Sequence, residues 1–168
     1  MTTWNFDRLH LAQIELVFPR LKGEGYKATS PTDHYYNCIA WAAEDQDRLW
    51  SPLPQGQGSG GYDSPYGDYW PPEVPRENTL DTWMKALAQM GYEGCDTPTL
   101  ENEFQKIAIY VDDQNVPQHV ARQLPNGHWT SKLGNEIDIE HNTLRALEGK
   151  DYGQATCFMK RRSVSAAL

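Results

Sequence analysis

Apolar positions recur at helical spacing near the start of the chain, where Leu11, Ile14, Phe18 and Leu21 fall on one face. The spacing predicts a helix over residues 4–21, stopped by Pro19 or Gly23, with residues 23–33 as a connector. A second helix is expected over residues 35–46, where Ile39, Trp41, Ala42 and Ala43 are apolar and alanine favours helix. Its start has two readings. Ser30-Pro31-Thr32-Asp33 offers a cap with proline at a first helical position. Asn37 is also a good cap and would put Cys38 in the first turn. The clearest helix covers residues 78–91: Asn78 or Thr79 caps it, Leu80, Trp83, Leu87 and Met90 share a face, and Gly91 ends it.

Three β-like runs follow, Lys106–Val111, Gln118–Leu124 and His128–Leu133. Pro125-Asn126-Gly127 joins the last two as a hairpin. Residues 142–149 suggest a short helix and Ala155–Met159 a last strand. Helices first and an antiparallel meander after them make an α+β layout, with N-terminal helices packed on a small antiparallel sheet. The 168 residues fit one domain. Residues 51–77 interrupt it with Gly56, Gly58, Gly60, Gly61 and Gly67, prolines from Pro52 to Pro75, and Tyr62, Tyr66, Tyr69 and Trp70. A loop this long is functional or disordered, and its aromatic content argues for order.

Charge and cysteine usage narrow the function classes. The formal net charge is −8, and an acidic surface repels phosphate backbones, so no nucleic-acid partner is expected. Lys160-Arg161-Arg162 reads as a solvated basic tail. Cys38, Cys95 and Cys157 stand far apart with no CxxC spacing, which argues against a disulfide framework or a zinc site and implies no cofactor. Reduced thiols suggest a cytoplasmic protein. The start MTTWNFDRLHLAQ has neither the basic nor the apolar region of a signal peptide, although signal-less secretion stays open. No apolar run approaches the roughly 18–20 residues of a membrane span, so no membrane partner is expected.

Candidate chemistry centres on Cys38. A thiol is a usable nucleophile as thiolate, which a helix N-terminus and a nearby imidazole both stabilise, so a lowered pKa and fast alkylation near pH 6.5 are expected. His119 lies within the second β-like run, about eighty positions later, with Ala121 on its own side of the pleat and Val120 on the other. Tyr36-Asn37-Cys38-Ile39-Ala40-Trp41-Ala42 followed by His119-Val120-Ala121 resembles the papain-like cysteine peptidase and amidase superfamily, closest to its compact bacterial NlpC-type and CHAP-type domains. The resemblance covers residues 35–133. It implies a papain-like fold with Cys38 as nucleophile and His119 as general base, and a polar residue on the next strand that orients the histidine. Counting along the hairpin places Ser131 there, a departure from the His, Asn, Asp or Glu usual in the family; Glu136, Asp138 and His141 are alternatives if the register slips.

Tyr36, Asn37, Tyr69 and Trp70 are candidate substrate-binding residues, and His34 could line the same cleft. Trp41 reads as core. The expected activity is a cysteine hydrolase or acyltransferase acting on an amide bond of a peptide or protein, with residues 51–77 as an ordered flap. A non-catalytic papain-like binding module is the alternative. A third possibility is a metal-dependent hydrolase built on Asp138, Glu140 and His141.

Overall fold

The structure, a computed structural model, describes residues 8–33, 35–52, 68–134 and 136–163. The first predicted helix divides at Pro19, into α1 (Arg8–Val17) and α2 (Leu21–Glu24). Residues 23–33, expected as a connector, contain strand β1 (Tyr26–Ser30). The second helix is one short piece, α3 (Cys38–Ala42), and the Asn37 cap is the one used. Strands β2 (Leu49–Trp50) and β3 (Asp68–Tyr69) pair in parallel and close the two ends of the glycine-rich segment. Residues 53–67, the body of the expected flap, lie outside the described residues, as does His34.

Helix α4 (Leu80–Ala88) starts as expected. Thr79 accepts a hydrogen bond from the Thr82 N–H, and the Thr82 hydroxyl contacts the Thr79 backbone in return. Strand β4 (Glu93–Cys95) leads into the three predicted strands, here β5 (Phe104–Val111), β6 (Pro117–Gln123) and β7 (Trp129–Lys132). Gly127 takes φ +88° in the hairpin, which the Asn-Gly signal anticipates. Strand β8 (Asp138–His141) follows, then a 3-10 turn over Leu144–Leu147 and strand β9 (Gln154–Arg162).

Seven strands form one antiparallel sheet in the order β1-β8-β7-β6-β5-β9-β4. The class is mixed α+β, and the sheet is larger than expected. Strand β9 runs longer than Ala155–Met159 and carries the supposed basic tail. Lys160 pairs with Glu101 at 3.0 Å, and Arg161 bonds Glu44, Gln105 and the Met90 carbonyl.

Apolar side chains cover both faces of the sheet. On the first, Ile107, Ile109, Val120 and Met159 pack with Ile39, Ala40 and Ala42 of α3 and Trp83, Ala86 and Leu87 of α4. On the second, Ala108, Tyr110, Ala121, Trp129 and Ile139 pack with Ile14 and Phe18 at α1 and with Ala146 and Leu147. The period-2 alternation of β5 and β6 produces these two surfaces directly.

Candidate functional site

Asn37 ties its side chain into the surrounding backbone. Its Oδ1 accepts from the Ala40 N–H at 3.1 Å and the Trp50 N–H at 3.3 Å, and its Nδ2 donates to the Trp50 carbonyl at 2.7 Å. It therefore starts α3 and pins it to β2, with one Nδ2 hydrogen left over. Asn37→Ala is expected to cost roughly 2–4 kcal/mol, since it removes a cap and strands two backbone groups of the buried Trp50. Urea denaturation measures this, and a loss under about 0.5 kcal/mol would show that the amide pins nothing.

Cys38 takes the first position of α3, where the Cys38 and Ile39 N–H groups face the sulfur. A third donor comes from the sheet. The Leu124 N–H bonds the His128 carbonyl across the hairpin, so by alternation the Arg122 and Val120 N–H groups also point toward β7. The β6–β7 ladder runs only through Gln123↔Trp129 and Arg122↔Thr130, while Ser131 and Lys132 pair with β8. The two strands thus part beyond Arg122, and the freed Val120 N–H faces the Cys38 sulfur. The thiol sits in a fork of the sheet.

His119 lies one residue before Val120, on the opposite side of the pleat from α3, and is fully buried. Its Nε2 is 3.0 Å from Ser131 Oγ. That oxygen is 2.8 Å from His141 Nε2, and His141 Nδ1 is 2.8 Å from the Thr143 carbonyl. Tyr152 stacks parallel on the His119 ring at 4.2 Å, and Tyr110 flanks it at 5.4 Å. Among the described residues His119 Nδ1 has no hydrogen-bond partner, so the Cys38 thiol is not bonded to it in this structure.

Electrostatics corrects one expectation. The helix-start thiol was expected to be acidic, but burial pushes its pKa up to about 11 against the pull of the Val120, Ile39 and Cys38 N–H groups. Burial, then the neighbouring His141, holds His119 well below the ordinary histidine range. His141 is lowered to about 4, chiefly by burial. Both imidazoles and the thiol are neutral near pH 7. Burial, then the Cys38 sulfur, raises the Tyr152 phenol, so Tyr152, stacked on His119, is also within electrostatic range of Cys38.

The remaining predicted residues have other surroundings. The buried Tyr36 donates to Asp138 Oδ2 at 2.5 Å and stacks on Trp41. Trp41 is half-buried and donates to Thr130 Oγ1 at 3.0 Å. Trp70 is buried and bonds the Pro75 carbonyl. Half-buried Tyr69 carries the Arg48 guanidinium 3.5 Å over its ring. Glu136 pairs with His10 at 2.9 Å. Asp138 and Glu140 share one face of β8 while His141 takes the other, which separates the three supposed metal ligands. Among the described residues, no group of three or more His, Cys, Asp or Glu is placed to hold a metal.

Two neighbours of the site were not foreseen. Lys132 is buried at the fork, donates to the Glu136 carbonyl and interacts electrostatically with Cys38. Tyr152 sits in the turn between Gly149 and Gly153. A Cβ at Gly153 would fall 1.9 Å from the Val111 carbonyl oxygen, at φ +75°, so glycine alone lets this turn press against β5. An aromatic residue in the stretch Gly149-Lys150-Asp151-Tyr152-Gly153 was the available signal.

Compared with known families, residues 27–160 match one described as DUF7689, a domain of unknown function. The chain belongs to the DUF7689 family. Cys38, His119, Ser131 and His141 all fall within the DUF7689 domain, as does Tyr152. Neither curated proteins nor solved structures give a match.

Proposed function

We propose that this domain is a cysteine hydrolase or acyltransferase acting on an amide bond of a peptide or protein, built on a papain-like arrangement of Cys38 and His119. One observation carries the proposal: a fully buried imidazole leaves Nδ1 without a partner among the described residues, one residue from the N–H that faces the thiol. An unpartnered buried nitrogen costs stability, and groups kept at such a cost are commonly functional. Ser131 in the orienting position, bonded to His119, supports the same reading.

In the proposed reaction the Cys38 sulfur attacks the carbonyl carbon as His119 Nδ1 takes the thiol proton. The C–N bond then breaks, and the imidazolium returns that proton to the leaving amine. Water or an amine acceptor cleaves the resulting thioester. Because thiol and imidazole both rest neutral, the proton moves only as the sulfur attacks, with Sγ drawn into reach of Nδ1. The acidic surface suits neutral or cationic substrates.

An activated acyl donor tests this without knowledge of the substrate. p-Nitrophenyl acetate is expected to add one acetyl group to Cys38, detected by intact mass. His119→Ala is expected to slow that step by about 10²–10⁴. Acetylation at the same rate in His119→Ala would remove the base from the scheme.

A non-catalytic binding module is the second candidate, favoured by the raised thiol pKa and the missing bond between Sγ and Nδ1. It predicts no acetylation of Cys38 at all.

A further inference from the structure

We propose that His141, acting through the Ser131 hydroxyl, decides which ring nitrogen of His119 carries the proton and leaves Nδ1 bare. This rests on the reading of Cys38 and His119 as the reacting pair and adds His141 to it as a positioning residue.

The direction of the hydrogen-bond chain follows from its far end. A carbonyl oxygen only accepts, so the 2.8 Å contact between His141 Nδ1 and Thr143 requires the hydrogen on Nδ1. His141 is neutral when buried, so its Nε2 then carries a lone pair. The Ser131 hydroxyl must donate its single hydrogen to that lone pair across 2.8 Å. Ser131 Oγ is left to accept, and the group facing it at 3.0 Å is His119 Nε2. His119 therefore holds its proton on Nε2 and offers Nδ1 as a free base.

The reverse direction fails at His141 in either protonation form. With the His141 hydrogen on Nε2, two lone pairs would face each other between Nδ1 and the Thr143 carbonyl. With hydrogens on both nitrogens, His141 would carry a charge in a buried site with no carboxylate bonded to it. Packing holds the chain in register. The β7–β8 pairing Ser131↔Ile139 and Trp129↔His141 sets Ser131 and His141 on one face, and Tyr152 lies flat against the His119 ring. A hydroxyl backed by a second imidazole thus does at one remove what a carboxylate or amide does directly in the resembling family.

Long-range proton–nitrogen NMR on ¹⁵N-labelled protein reads the tautomer. Wild-type His119 is expected to show a protonated Nε2 and a bare Nδ1. Ser131→Ala and His141→Phe are expected to convert it to the Nδ1–H form or a mixture, and to slow Cys38 acetylation by at least about tenfold. Ser131→Thr, which keeps a hydroxyl, is expected to retain the wild-type pattern. A wild-type His119 already protonated on Nδ1, or a tautomer unchanged in both disrupting variants, overturns the relay. The wild-type spectrum decides even if a variant fails to fold. A correct tautomer without acetylation of Cys38 counts against the nucleophile, and leaves the relay standing.

Discussion

Iodoacetamide will modify native Cys38 slowly at neutral pH, about a hundredfold below a free cysteine, and the rate will climb about tenfold per pH unit toward 11. With Sγ not bonded to Nδ1 in the resting site, iodoacetamide meets only the thiolate, and burial has moved the Cys38 pKa from 9.0 to about 11. The three backbone donors at the sulfur favour the anion but do not repay its desolvation. Peptide mapping over pH 6–10 gives the profile. A break near pH 7 with a plateau above it would mean a preformed thiolate–imidazolium pair, contrary to the neutral resting site. The same measurement replaces the expectation of fast labelling at pH 6.5, which rested on helix position and omitted burial.

Acid is expected to unfold this protein early, with His141 alone removing roughly 3 kcal/mol by pH 4. Its pKa is depressed in the folded state, so its contribution is complete above the unfolded value near 6.5. That contribution is lost as pH falls toward the folded value near 4. His119, lowered in the same direction, adds to the loss. Glu44 and Asp45, with lowered carboxyl pKa values, extend it further into acid, whereas Asp138, raised by burial, works in the opposite sense. Urea titrations at pH 7, 5.5 and 4.5 test the window between 6.5 and 4. Stability that stays flat from 7 to 4.5 would falsify the neutral buried pair.

The elements with strong local signals were legible from residues alone. The Thr79 cap and the Trp83–Leu87 face located α4, and Asn126-Gly127 located the hairpin that carries His119 and Ser131. The choice of Asn37 over Ser30-Pro31 as cap was not decidable locally, because it depends on Trp50 supplying both a donor and an acceptor. Strands β1 and β8 escaped notice because each is short and mixes polar with apolar residues; their pairing, Tyr26↔His141 among it, spans most of the chain. Ser131 was located by counting. His141 reads from the sequence as a substitute for it or as a metal ligand, whereas in the fold the two are bonded to each other. Thiol acidity failed as an expectation because helix position is local and burial is not.

The strand order also constrains synthesis. Strand β9, the last of the sheet in sequence, lies between β5 and β4, and the first strand is held by β8. Neither β5 nor β1 can complete its ladder until the ribosome has released residues far downstream. Cys38 emerges early, yet the groups that bury it and orient His119, from Ser131 to Tyr152, are translated more than ninety residues later. The nascent chain therefore carries an exposed and ordinary thiol. The half-buried, neutral form of that sulfur is a property only of the finished sheet, reached in the slow closure typical of distant β pairing.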